Sequence, residues 1–248
     1  MRTLLIILTA LVALPLQAAD WEDKLKSAME DPARPAADRA RDANRLPRET
    51  LSFFRFDDDL RVLELFPGTG WYTRLLSPIL AEKGQLYAAL ATGRLREAIP
   101  DTPALESVEV LDTNPEFVLT EQEGVRYLGP LSFWVENLDL VLTFRNAHNL
   151  NAEGRTNLND AVFEALRPGG LYGVVDHTRR HMAPYSNANR RRADPVQVIH
   201  ETIDSGFEFV GYSDLHYRPV DGLDLEVGDE RVTGRTDRFT LLFRKPGP

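Results

Sequence analysis

Apolar positions along this chain follow two alternating rhythms, short uninterrupted runs and stripes with helical spacing. Residues 61–66, 86–90, 108–111, 138–144 and 171–175 are runs of the kind that parallel strands buried on both faces require. After the first run, Tyr72, Leu75, Leu76, Ile79 and Leu80 fall at i, i+3, i+4, i+7 and i+8, one stripe of a helix that opens after Gly70. Pro78 inside that stripe predicts a kink or a short regular part. A second helix is predicted at about 155–166, stopped by Arg167-Pro168-Gly169-Gly170, and a third at 195–204, stopped by Ser205-Gly206. Residues 207–212 and 238–243 are apolar or alternating with no helical pattern between them, which predicts a closing antiparallel pair.

The segments outside this alternation read differently. Residues 20–56 begin charged and alanine-rich, are punctuated by Pro32, Pro35 and Pro47, and predict short helices wrapped on the outside of a domain. Asp221, Asp224, Glu226, Asp229 and Glu230 predict a solvated acidic arm, because their spacing is not that of a calcium loop. Together the elements predict one α/β domain over residues 20–248, a mostly parallel twisted sheet with a C-terminal antiparallel strand pair.

Residues 1–19 carry Arg2, an apolar stretch over 4–16, then small residues before Asp20. This is the layout of a secretory signal cleaved after Ala18 or Ala19, too short for a membrane span and interrupted by Pro15. The expectation is an exported, periplasmic protein with no stable membrane insertion once the signal is removed. Composition narrows the chemistry further. With 29 Lys+Arg against 38 Asp+Glu the formal charge is −9, so no overall basic field exists to attract nucleic acid. The absence of cysteine removes disulfides, thiolate metal sites and cysteine nucleophiles.

The most informative stretch is Val62-Leu63-Glu64-Leu65-Phe66-Pro67-Gly68-Thr69-Gly70-Trp71. A strand ends, a glycine turn follows and a helix begins, which brings backbone N–H groups to the carboxyl end of the first strand, where open α/β sheets bind ligands. A dinucleotide fingerprint would need glycine at Thr73 or at Phe66, so NAD chemistry is disfavoured. An acid within a buried strand is costly unless paired or aimed at a donor, so Glu64 is expected to face the crevice.

With Glu64, Gly68 and Gly70 in place, the sequence resembles the class I S-adenosylmethionine-dependent methyltransferases. The acid and Gly-x-Gly spacing is similar to their first motif, residues 138–142 to their fourth strand, and Leu166-Arg167-Pro168-Gly169-Gly170-Leu171 to the turn entering their fifth. More narrowly, Arg41-Asp42-Ala43, ELFPGTGWYTRLLSP, FRNAHN at 144–149, VVDH at 174–177 and TDRFTLLFRKP at 236–246 resemble a group of exported, uncharacterised predicted methyltransferases. The resemblance implies a Rossmann-like fold, S-adenosyl-L-methionine as cofactor and a small-molecule acceptor. It places Glu64, Phe66, Pro67, Gly68 and Gly70 on the cofactor, with Asp112 either at its adenine or a strand-terminal surface acid.

Two departures from the family stand out. Phe66 replaces its usual glycine, and residues 86–90 end without the acid that binds the ribose hydroxyls. A charge-assisted hydrogen bond is worth about 1.5–3 kcal/mol, so its loss corresponds to a roughly 10- to 150-fold weaker cofactor unless Thr92 or a backbone carbonyl replaces it. A methyltransferase-like fold that binds a ligand or partner without catalysis is the alternative function.

Arg145, Asn146 and His148 follow the fourth long run, where acceptor-side groups of this fold stand, and are the candidate catalytic residues. His148 titrates near neutrality when unperturbed and is a candidate base; its other reading is a side chain packed beneath a turn. Asp176 and His177 are candidate acceptor contacts, and no metal site is assigned, since His177 and His181 have no firm third ligand. Residues 178–192 hold five arginines, read either as a lid receiving an anionic acceptor or as a solvated basic loop.

Overall fold

A computed structural model describes residues 20–247; the segment read as an export signal lies outside them. Four short helices open the fold, α1 (Trp21–Glu30), α2 (Ala36–Arg39), α3 (Asp42–Arg45) and α4 (Pro47–Phe53). Pro47 starts α4 where a missing N–H is harmless, and Leu46 before it takes a left-handed conformation, φ 45°, that ends α3. The first half of the sheet follows as β1 (Arg61–Leu65), α5 (Thr73–Leu80), β2 (Gln85–Ala89), α6 (Gly93–Ala98) and β3 (Val108–Val110). Next comes a hairpin, β4 (Phe117–Leu119) with β5 (Arg126–Leu128), which forms a separate two-stranded sheet. The second half is β6 (Leu138–Phe144), α7 (Ala152–Ala165), β7 (Leu166–His177), α8 (Pro195–Asp204), β8 (Glu208–Ser213) and β9 (Arg238–Arg244).

The main sheet has the order β3-β2-β1-β6-β7-β9-β8. Strands β3, β2, β1, β6 and β7 run parallel, whereas β9 is antiparallel to both β7 and β8. This is a Rossmann-like methyltransferase arrangement, and its antiparallel end is the pair expected from 207–212 and 238–243.

Side-chain alternation splits the core into two layers. Leu63 and Leu65 of β1 join Val141, Leu158, Val162 and Phe243 on the face covered by α7 and α8. Val62 joins Leu75, Leu76, Leu140, Leu142 and Phe54 on the face covered by α4 and α5. A fully buried leucine contributes about 1.5–3 kcal/mol, so these two layers carry the fold. Gly173 of β7 leaves room for the Phe54 ring that follows α4: a Cβ there would stand 2.8 Å from it.

Several boundaries depart from expectation for local reasons. Helix α5 starts at Thr73, with Trp71 and Tyr72 still in the turn, and ends two residues after Pro78. Helix α7 starts three residues early because Asn151 caps it, its side chain accepting from Gly154 N at 2.8 Å. Strand β7 already begins at Leu166, and the Pro-Gly-Gly turn becomes an irregularity where the β6 register shifts between Leu138 and Leu140. The hairpin β4–β5 has no counterpart in the sequence pattern, since three-residue strands carry little periodicity.

The acidic arm is not simply solvated. Asp221 is buried and holds fully buried Arg192 through two hydrogen bonds of 2.9 and 3.0 Å, while it also accepts from Asp237 N at 2.7 Å. Arg191 pairs with Glu226 and Arg190 with Glu123. Residues 190–192 are thus latched to acids of the chain itself, which corrects the solvated-arm reading. Breaking the buried pair strands a cation: Asp221→Ala is expected to lower unfolding free energy by about 3–5 kcal/mol in denaturant titrations, and Asp221→Leu with Arg192→Met to recover most of it.

Candidate functional site

Strand order reverses between β1 and β6, so the segments leaving these two neighbours diverge and open a crevice at their carboxyl ends. The crevice is a hollow of about 160 Å³. Glu64, Phe66, Pro67 and Gly68 line it from the β1 side and Arg145 and Asn146 from the β6 side, with Arg41 and Arg45 contributed by the N-terminal helices.

The turn after β1 is built from left-handed backbone. Phe66 has φ 52° and donates its N–H to Ala89 O at 2.9 Å, and Gly68 has φ 63°. A Cβ on Gly68 would meet nothing within 4 Å, so the backbone there faces open space that a ligand can approach. Gly70 instead shapes the bend itself. At φ 84° its N–H closes the turn on Pro67 O at 2.9 Å, and a Cβ would strike Leu95 at 2.9 Å.

Glu64 is buried and its Oε2 accepts from the Thr73 hydroxyl at 2.6 Å. Burial pushes its carboxyl up to about 7, against the Thr73 hydrogen bond and the positive charge of Arg45. Tyr72 lies stacked on Phe144 with centroids 3.5 Å apart, and burial pushes its hydroxyl up to about 12. Arg45 is buried with its guanidinium 4.3 Å from the Trp71 ring centroid. His216 fixes α3 from behind, its Nε2 3.1 Å from Arg45 O and its Nδ1 2.7 Å from the Thr240 hydroxyl. Burial lowers His216 to about 4, so at neutral pH it is uncharged and Nε2–H can donate to the carbonyl.

A second arrangement stands beyond Arg145. Asp176 is fully buried at the end of β7 and accepts from His148 N at 2.9 Å and His177 N at 2.7 Å. Its Oδ1 also lies 2.6 Å from His148 Nδ1. A carboxylate accepts only, so the Nδ1 proton is fixed and Nε2 is left as the basic nitrogen. His148 lines a separate hollow of about 220 Å³, shared with Tyr185, Arg179 and the start of α8. The His177 ring is 6.1 Å from that of His148 and bonds the Thr236 hydroxyl at 3.0 Å; burial, with the charges of His148 and Arg238, holds it well below the usual imidazole range.

The structure therefore divides the sequence candidates. Glu64, Phe66, Pro67, Gly68, Arg145 and Asn146 line the crevice, Gly70 shapes its turn, and His148 with Asp176 forms a dyad facing the neighbouring hollow. Asp112 is exposed, pairs with Arg96 at 2.5 Å and stands outside the crevice lining. His181 is exposed on Asp194 at 3.0 Å, apart from buried His177, and no group of three metal-ligating side chains forms among the described residues. At the end of β2, Leu90 and Ala91 are left-handed with φ 68° and 49°, and the Thr92 hydroxyl accepts from Arg96 at 3.3 Å. Sequence reasoning missed Arg45 and Arg238; a cation opening the buried β9 run was the available signal for the latter.

No family model matches the sequence, and no curated protein matches it. Solved structures do match the fold, among them S-adenosylmethionine-dependent methyltransferases and a cyclase. A SAM dependent methyltransferase from Aquifex aeolicus superimposes with a TM-score of 0.55 at 16% identity, covering 90% of this chain and 97% of its own. The glycopeptide N-methyltransferase MtfA complexed with S-adenosyl-L-methionine does so at 0.53 and 16%, covering 83% and 94%. The [4+2]-cyclase SpnF reaches 0.53 at 15%, covering 83% and 81%.

Glu64 also sets a pH dependence. Its folded value lies above the ordinary 4.5, so the folded state binds the extra proton and the stability this carboxyl contributes is lost as pH rises from 4.5 through about 7. Glu64→Gln keeps an acceptor for Thr73 without the titration. Denaturant unfolding at a series of pH values is expected to show the variant gaining on the parent by about 3 kcal/mol across that window.

Proposed function

We propose that this protein is an exported methyltransferase that uses S-adenosyl-L-methionine and acts on a small molecule. The observation that carries the reading is the switch-point crevice, with an acid buried at its base and the open backbone of Gly68 at its lip. The site fits the cofactor's amino-acid end: Glu64 suits the ammonium, and Gly68 admits the chain past the turn. A hollow of about 160 Å³ would hold that end alone. When bound, the cofactor supplies an electrophilic methyl group. The apolar stretch over residues 4–16, preceded by Arg2 and followed by small residues, supports export.

The chain's own contribution is orientation and proton handling. Asp176 fixes the His148 ring by two bonds to one residue, the backbone N–H and Nδ1, so Nε2 is held ready to take a proton from an acceptor at the carboxyl ends of β6 and β7. Arg145, in left-handed backbone at φ 65°, is held rigidly at the rim by its N–H to Val175 O. Orientation of this kind supplies up to about 7–11 kcal/mol of a barrier.

A second reading is ligand binding without methyl transfer. It is favoured by the β2 end, which presents Leu90 and Ala91 where a ribose-binding acid would stand, and by the same fold serving a protein named as a cyclase. Calorimetry with S-adenosylhomocysteine decides for or against the cofactor: binding is expected, and none at about millimolar ligand removes both the cofactor and the transferase. With an acceptor in hand, His148→Ala is expected to lower turnover by about 10²–10⁴ while cofactor binding persists, and unchanged turnover would take the base away from His148.

A further inference from the structure

Three guanidinium groups gather at the crevice end of the sheet without a bonded counter-ion, Arg45 and Arg145 in the crevice lining and Arg238 outside it. Arg45 and Arg238 are 6% and 4% exposed, and Arg145 is half-buried. None of the three side chains makes an ion pair or hydrogen bond with any described residue, and Nε and Nη2 of Arg238 are buried with no partner. The other deeply buried arginines of known pairing show what this fold normally does: Arg34 is clamped by Asp42 at 2.6 and 2.7 Å, and Arg192 by Asp221. In a chain of net charge −9, carboxylates are plentiful, yet none bonds to these three side chains; buried Asp176 acts on Arg145, and Asp237 on Arg238, through charge alone.

The neighbouring groups compensate only in part. Tyr72 stays protonated, and Glu64 is engaged by Thr73. The Trp71 face relieves Arg45 alone. Burial and then the Arg145 charge hold Arg45 at about 9 and Arg238 at about 10, each well below an ordinary guanidinium. The methyl donor does not balance the cluster either: its ammonium and carboxylate cancel and its sulfonium adds a positive charge.

We propose that Arg45, Arg145 and Arg238 form a binding site for a multiply charged oxyanion, a phosphate monoester or a dicarboxylate, carried by the acceptor. Planar guanidinium groups match both chemistries through paired N–H bonds. Topology puts the site where an acceptor is needed: Arg145 follows β6, and Arg238 opens β9 in register with His177 at the end of β7. The identity of this ligand as the methyl acceptor rests on the function proposed above, whereas the anion site stands on its own.

Melting curves and calorimetry on the purified protein with inorganic phosphate and with succinate, against sodium chloride at equal ionic strength, test the site. One probe or both at about 10 mM is expected to raise the melting temperature by a few degrees beyond the chloride control. Stabilisation by phosphate alone points to a phosphate monoester, and by succinate alone to a dicarboxylate. Arg238→Met removes a buried charge with no bonded partner, so it is expected to melt no lower than the parent without anion and to bind the probe about tenfold or more weakly. Arg145→Met, at the more exposed rim, is expected to show the same loss and serves if the first variant does not fold. No anion-specific stabilisation, or parent-like affinity in the variants, overturns the proposal. S-adenosylhomocysteine calorimetry on the same samples separates the two ideas: phosphate or succinate binding without it retains the anion site and discards the transferase, and the converse discards the anion site alone.

Discussion

Strand β1 is hydrogen-bonded on both edges, to β2 on one side and β6 on the other, and the site depends on that constraint. With both edges taken, the chain leaving Leu65 has to turn out over the end of the sheet, and it does so through left-handed backbone at Phe66 and Gly68. The chain leaving Phe144 departs the other way, through left-handed Arg145. Such conformations cost about 1–3 kcal/mol at non-glycine residues, and they persist because the flanking strands allow no alternative. The crevice is thus a product of pairing, and the side chains around it decorate an opening the sheet already enforces.

Much of this architecture was legible in the chain. Runs such as 138–144 stay apolar through nearly every position, which only a strand covered on both faces tolerates, and the 195–204 helix was bounded by a proline start and a Ser-Gly stop. Glu64 announced itself as an acid in an apolar run. What was not legible depended on contacts distant in sequence. Whether His148 is a packed turn residue or an oriented base is decided by Asp176, 28 residues away, and whether Arg192 is solvated is decided by Asp221, 29 residues away. Arg45 lies in a short helix with no periodicity to mark it, and only the packing of that helix on Trp71 brings it to the crevice.

The electrostatic character of the molecule is divided accordingly. Its negative surface sets the net charge, while its interior end of the sheet is positive, with guanidinium groups from the N-terminal helices, the β6 end and the β9 start converging on Tyr72. A low-dielectric enclosure magnifies this local sign relative to the overall one. Net charge alone hides this local sign.

The buried clasp between Arg192 and Asp221 joins two stretches that otherwise share no strand or helix. Neither can be grafted singly into a related scaffold, because a transplanted guanidinium would arrive without its carboxylate. A transfer of this region therefore has to carry both residues together as one cassette.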